Sequence, residues 1–251
     1  SAYAASSDIA WILDVPDGGT AVSLKSNAYQ VRLVRGGQSL GLLNAARQEG
    51  PHAHSSIFTP DNRFVIIADL GIDQLVIYQF DSSTGKLLPH SSVNARSGAG
   101  PRHLAFHQNG KWMYAANELD NTVSLYDYDE TKGSLTERQS LATVPSDSPE
   151  STVADIHISA DGKRLYVSNR GHDSIAVYDI GSDGSLKLVS IQSSGGKVPR
   201  NFALAPGGKF LLAANQNSNE VCVLPILDGT EALGKPVARA TVTGASCIQF
   251  V

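Results

Sequence analysis

Residues 54–80 read HSSIFTPDNRFVIIADLGIDQLVIYQF. The pattern returns without gaps as RHLAFHQNGKWMYAANELDNTVSLYDY at 102–128, ADIHISADGKRLYVSNRGHDSIAVYDI at 154–180 and RNFALAPGGKFLLAANQNSNEVCVLPI at 200–226. A unit recurring at roughly fifty residues marks a repeat architecture before any local structure is assigned. Each copy opens on a short strand pattern, turns at Asp61-Asn62, Asn109-Gly110, Asp161-Gly162 or Gly207-Gly208, and continues into a more apolar second strand. A polar turn and a third strand follow (LVIYQF, VSLYDY, IAVYDI, VCVLPI). In the first three copies a Gly-containing turn then leads to a weaker fourth strand, LLPHSSV, LTERQSLA or LKLVSIQ. Four strands per unit is the make-up of a propeller blade, so the expected fold is an all-β β-propeller.

Outward from these four units, DIAWILDVPDGGTAVSL (8–24) and YQVRLV (29–34) supply three strands of a fainter fifth, and ASCIQFV (245–251) adds one more strand at the end. The domain reading is one propeller over 1–251, with units near 8–48, 49–96, 97–148, 149–196 and 197–243 and a closing strand at 245–251. Five units and a spare strand fall short of seven blades of four. The expectation is a larger ring whose N-terminal blades are not in this sequence, with a closed five-bladed ring as the alternative.

The 251 residues are 41% hydrophobic and 18% charged, with a formal net charge of −4. That balance suits a soluble globule that buries a core and argues against non-specific nucleic-acid binding. No apolar run approaches the eighteen or so residues that span a bilayer, and no basic segment followed by an apolar one opens the chain. Neither a membrane anchor nor an intact signal peptide is expected. A cytoplasmic location follows, with secretion left open should an N-terminal signal have been lost. Cys222 and Cys247 are too few for a disulfide framework and are not spaced for zinc; two buried thiols are expected.

The repeat separates architecture from function: what recurs in every unit belongs to the blade, and what differs at an equivalent polar position is a candidate for chemistry. Asp69, Asn117, Asn169 and Asn215, with Asp73, Asn121, Asp173 and Asn219 four places on, recur and read as turn-forming residues. Two rows at the start of the innermost strand vary: His54, Arg102, Ala154, Arg200, and then Ser55, His103, Asp155, Asn201. The position after the second strand reads Leu70, Glu118, Arg170, Gln216. The start of strand one and the end of strand two share a face of the blade, so His54, Arg102, His103, Glu118, Arg170 and Arg200 are expected at one mouth of the central channel. His157 counts one place out of phase and reads as a core or interblade histidine. His90, His107 and Glu150 read as surface or loop residues, and His172 as a loop residue beside Arg170.

Several cations around one carboxylate would focus a positive field on a small anion, and arginine grips carboxylate or phosphate bidentately. Glu118 beside such arginines should stay ionised and could serve as a general base, with His54 or His103 as proton donor. Arginine or histidine N–H groups would also stabilise an ester or lactone carbonyl as it gains charge. No G-x-S-x-G nucleophile and no His/Cys/carboxylate set at metal-ligand spacing occurs, so metal-free and cofactor-free acid/base chemistry on a small anion is expected.

RQEGPHAHS at 47–55, ADLGIDQLVIY, GPRHLAFH at 100–107, AANELDNTVSLY, SNRGHDSIAVY and ANQNSNEV resemble the seven-bladed lactonase family of bacterial-type 6-phosphogluconolactonases and fungal carboxymuconate cyclases, over about residues 45–251. The terminal ASCIQF resembles that family's closing strand. The resemblance implies that His54, Arg102 and Glu118 match residues proposed as catalytic in the cyclase branch, with Arg170 or Arg200 as the counterpart of a further arginine. It implies a small polyanionic substrate moving between lactone and open-chain acid, with hydrolysis of 6-phosphogluconolactone as the leading reading. Carboxymuconate cyclisation is the alternative within the family. A propeller kept only as a binding platform is the alternative outside enzymes.

Overall fold

A computed structural model describes residues 11–14, 20–23 and 47–250. Four four-stranded antiparallel sheets, each built from consecutive strands, follow one another along the chain. The pair β1 (Trp11–Asp14) and β2 (Thr20–Ser23) precedes them, as expected for the start of the fifth unit, whose third strand at 29–34 lies outside the described residues. The first full blade holds β3 (Ala53–Phe58), β4 (Phe64–Asp69), β5 (Gln74–Asp81) and β6 (Lys86–Asn94). The second holds β7 (Pro101–Phe106), β8 (Trp112–Asn117), β9 (Thr122–Asp129) and β10 (Ser134–Ala142). The third holds β11 (Thr152–Ile158), β12 (Arg164–Arg170), β13 (Ser174–Ile180) and β14 (Leu186–Ser193). The fourth holds β15 (Pro199–Leu204), β16 (Phe210–Asn215), β17 (Glu220–Pro225) and β18 (Ala238–Thr241).

Burial explains why the second strands are the most apolar and the fourth the weakest. All six residues of β4 are buried, whereas β6 is mostly exposed and β18 wholly so. A second strand packs on both faces, because the apolar core lies between blades rather than within one. Phe64, Ile66, Leu75 and Ile77 of the first blade meet Leu104, Met113, Tyr126 and Tyr128 of the second. Tyr114, Val123 and Leu125 meet Ile156, Val167 and Tyr178 across the next seam, and Tyr166, Ile175 and Val177 meet Phe202, Leu211 and Leu224 across the third.

The recurring turn residues also join blades. Asp73, Asn121, Asp173 and Asn219 all adopt the left-handed conformation, with φ of 54–56°, which Asn and Asp tolerate better than other side chains. Each then reaches the chain that leads into the next innermost strand. Asp73 accepts from the Gly98 and Gly100 amides, Asn121 donates to the Ser151 carbonyl, and Asp173 accepts from the Val198 amide at 2.7 Å. Asn219 accepts from the Gly244 amide at 2.8 Å.

That last contact places residues 245–250 where an innermost strand would begin. The expected closing strand is not formed there: among the described residues no strand pairs with this segment. It is held by side chains, the Ile248 amide donating to Asn201 Oδ1 at 2.7 Å, as the Phe202 amide donates to Asp155 one blade earlier.

One glycine decides a seam. Gly184 has φ +85°, accepts a hydrogen bond from the Tyr114 hydroxyl at 2.8 Å and sits against the Trp112 indole, where a Cβ would come within 2.8 Å of three ring atoms. A side chain there combines left-handed strain with a clash across blades. Gly184→Ala is expected to lower stability by roughly 1–3 kcal/mol, measured as a lower urea midpoint with an unchanged m-value.

Candidate active site

The same irregularity opens each of the four full blades. Ala53 pairs with Asp69 and Ser55 with Ala68, which leaves His54 as an extra residue in β3. Arg102 in β7 and Arg200 in β15 are extra in the same way, and in β11 the break falls between Val153 and Ile156. A bulge at this position re-aims the added side chain and the one after it. Apart from the buried Ala154, both variable rows therefore face one cavity of about 420 Å³, lined by His54, Ser55, Arg102, His103, Asp155, His157, Arg200, Asn201, Ser246 and Cys247 among others. Its volume lies in the range of small-molecule sites. The cations gather at the bulged end, while Ile57, Phe106 and Ile158 line the other.

Behind that end lies an arginine–glutamate cluster. Glu118 follows β8, its amide donating to the Gly100 carbonyl at 2.7 Å, and is only 1% exposed. Its Oε1 meets Arg170 at 2.9 Å and also Arg47; its Oε2 lies 2.9 Å from Arg102 Nε, an ionic contact without linear hydrogen-bond geometry. Burial opposes ionisation of Glu118, but the charges of Arg170, Arg102 and Arg47 outweigh it and hold the carboxyl below its usual range. Arg102, 2% exposed, also donates to the Ala154 carbonyl. Burial, then the neighbouring Arg170 charge, draws its pKa down to about 10 against the pull of Glu118, so it remains a cation. Arg170 also donates to the Val153 carbonyl at 3.0 Å.

The expected residues are thus brought together, in two layers. Glu118 and Arg170 form the support; Arg102 belongs to support and cavity alike; His54, His103 and Arg200 line the cavity. Among the described residues Arg200 has no ion pair, in contrast to Arg102 and Arg170. His54 lies 5.3 Å, ring to ring, from His103. Burial, reinforced by the charges of Arg102 and Arg200, keeps it neutral far below the ordinary histidine range.

Asp155, His157 and Arg47 join the site without having been selected from the sequence. His157 does join blades, its ring packing edge-on against Phe202 of the fourth blade, but its side chain is also 41% exposed and lines the cavity, with Nε2 3.0 Å from Asp155 Oδ2. The bulge accounts for the miscount, because His157 lies two places along from Asp155 on the same face of β11. Asp155 is 3% exposed and accepts from His103 Nδ1 at 2.7 Å and from Asn201 Nδ2 at 2.6 Å as well. Burial opposes its ionisation, yet His157 and His103 hold the carboxyl well below the usual range.

Other expectations divide. Cys222 is buried, but Cys247 is half-buried and lines the cavity, which corrects the expectation of two buried thiols. His90 and His107 lie outside the cavity and bond across blades to the Lys132 and Gly162 carbonyls, while His172 bonds Ser174 at the start of β13. No helix among the described residues is long and apolar enough to cross a membrane.

The sequence model of a family described as "Lactonase, 7-bladed beta-propeller" matches residues 24–250. A curated relative, the 6-phosphogluconolactonase of Bacillus subtilis, is 36% identical over 207 residues, 82% of this chain and 59% of its own. The chain therefore spans about three-fifths of that relative's length. Among solved structures, a periplasmic gluconolactonase from Pseudomonas aeruginosa superposes with a TM-score of 0.82 at 29% identity, over 92% of this chain and 66% of that one. A putative 6-phosphogluconolactonase from Bacteroides uniformis gives 0.83 at 29% identity, over 98% of this chain and 72% of that one.

Proposed function

From membership of the seven-bladed β-propeller lactonase family, to which this chain belongs, we propose that the protein opens a small anionic sugar lactone by adding water, with 6-phosphogluconolactone as substrate. The observation that carries this reading is Arg200: a guanidinium without an ion pair among the described residues, at the cationic end of the cavity and beside neutral imidazoles. A phosphate held at Arg200 would set the lactone ring along the cavity, with its carbonyl toward Arg102.

The chemistry follows from the charges. Attack of water makes the carbonyl oxygen negative, and the fixed Arg102 cation meets that charge without reorganising. Proton transfer by a positioned imidazole contributes roughly 10²–10⁴ in rate. Glu118 suits a different task from that of a base. Both of its oxygens are engaged by arginines and it is shut away from the cavity, so it acts by holding Arg102 and Arg170 in place. These side chains supply an anion anchor, an oxyanion partner and a proton carrier without a metal.

The test is hydrolysis of 6-phosphogluconolactone by the natural full-length protein, read as 6-phosphogluconate formation above the spontaneous rate, with and without a chelator. Acceleration that survives the chelator is expected. No acceleration with any sugar lactone sinks the reading, and abolition by the chelator sinks its metal-free part. Loss of the ultraviolet absorbance of a carboxymuconate, with indifference to the sugar phosphate, points to the cyclase alternative.

A further inference from the structure

Arg102 is held from three sides, and the holds differ in kind. Glu118 Oε2 lies 2.9 Å from Nε without linear hydrogen-bond geometry, so it supplies charge and little direction. Direction comes from Nη1, whose two hydrogens go to the Ala154 carbonyl and to His103 Nε2, the latter at 3.0 Å. A guanidinium is planar and has only donors, so two acceptors on one nitrogen fix both its plane and its reach. Nε2 must therefore give its lone pair to Arg102, and the ring proton must sit on Nδ1, 2.7 Å from Asp155 Oδ1. Both nitrogens of His103 are then committed, and the ring has neither a lone pair nor an open N–H for a substrate.

The remaining links run outward through two more blades. The bulge at Arg102 turns it and His103 toward the same side of β7. Asp155 of β11 receives the proton side of the ring, and is itself fixed by Asn201 Nδ2 of β15 at 2.6 Å and by the Phe202 and Ile156 amides at 3.2 and 3.0 Å. A carboxylate on Nδ1–H polarises the ring and makes Nε2 a stronger acceptor. Burial, then Arg102, lowers the His103 pKa against the pull of Asp155, so the neutral ring persists below the ordinary histidine range. A protonated ring would set its own N–H against that of Nη1.

Resting on the lactonase reading, we propose that His103 is a positioning residue that takes no part in proton transfer: held by Asp155, it sets the plane in which Arg102 presents its guanidinium to the carbonyl oxygen. With Nη1 engaged twice and Nε against Glu118, Nη2 is the nitrogen that meets that oxygen. Glu118 and His103 thus divide the work on one arginine. The carboxylate keeps the cation in a buried place, and the neutral ring aims it. A guanidinium that drifts by about 1 Å loses roughly 10² in rate, so the aim matters as much as the charge.

Kinetics and spectra of the natural full-length protein test the proposal. In His103→Leu, kcat for 6-phosphogluconolactone should fall about a hundredfold, with KM changed only a few-fold because Arg200 is untouched. In His103→Gln, whose amide offers an oxygen to Arg102 and an N–H to Asp155, kcat should return to within a few-fold of wild type. A glutamine amide carries no proton between water and substrate, so a proton-transfer role would leave this variant as slow as His103→Leu. In ¹⁵N-histidine spectra, wild-type His103 should carry its proton on Nδ1. With normal wild-type turnover, a His103→Gln as slow as His103→Leu, or a His103→Leu as fast as wild type, overturns the proposal alone. A proton on Nε2 of His103 overturns it whatever the substrate. A wild type that opens no sugar lactone overturns it through its premise.

Discussion

Glu118→Gln is expected to cost more than any other single change here. The substitution keeps shape and removes charge, leaving Arg47, Arg102 and Arg170 around an amide in a site where the native carboxylate is 1% exposed. Breaking a buried ion pair by removing one partner costs about 3–5 kcal/mol, because the charge left behind is uncompensated. Arg102 is the most affected, since burial and Arg170 already depress its pKa and Glu118 opposes them. The effect has a defined pH dependence. The folded-state Glu118 pKa is depressed, so its contribution is present above the unfolded carboxyl value near 4.3 and is lost as pH falls through the folded value. Urea titrations should therefore show a large gap between wild type and variant at pH 7 that closes below about pH 4. On the proposed lactonase reading, turnover should fall by about two orders of magnitude or more, because an arginine displaced by about 1 Å would no longer meet the carbonyl oxygen. Equal stability at pH 7 would remove Glu118 from the centre of the site.

Arg200→Ala should produce a different signature. Arg200 lines the cavity and has no ion pair among the described residues, so its loss strands no buried carboxylate. A charge-assisted hydrogen bond is worth about 1.5–3 kcal/mol, so KM for a phosphorylated lactone should rise roughly ten- to hundredfold while kcat changes little. An uncharged gluconolactone should be affected far less. Added salt should weaken wild-type binding of the anion and leave the variant nearly indifferent. A uniform loss on both substrates would give Arg200 a part in the chemistry instead of an anchoring role.

Much of the fold could be read from one recurring string, because a blade repeats its turn residues and its strand order. The cationic rows could be read by subtraction, since His54, Arg102 and Arg200 differ where the blades otherwise agree. What escaped was set by geometry that the repeat conceals. Counting along β11 found the interblade place of His157, against Phe202, but missed its face on the cavity, because the bulge between Val153 and Ile156 shifts the count. Asp155 stood in a polar row with no mark of function; its importance comes from partners on two other blades. Glu118 was legible as a site residue, but not the three arginines that converge on it, one of them Arg47 at a positive φ of 78°. The terminal segment was read as a closing strand, and among the described residues no strand lies beside it to pair with.

The Asp155 contacts also make the site a gauge of ring curvature. His103, Asp155 and Asn201 stand on three successive blades, so their separations are fixed by the angles at two seams, and those angles are set by the packed side chains between blades. A rotation of a few degrees at either seam would open one hydrogen bond of the carboxylate while every blade stayed intact. Loosening of the apolar seams would therefore register first as lost order around Asp155, and only later as unfolding.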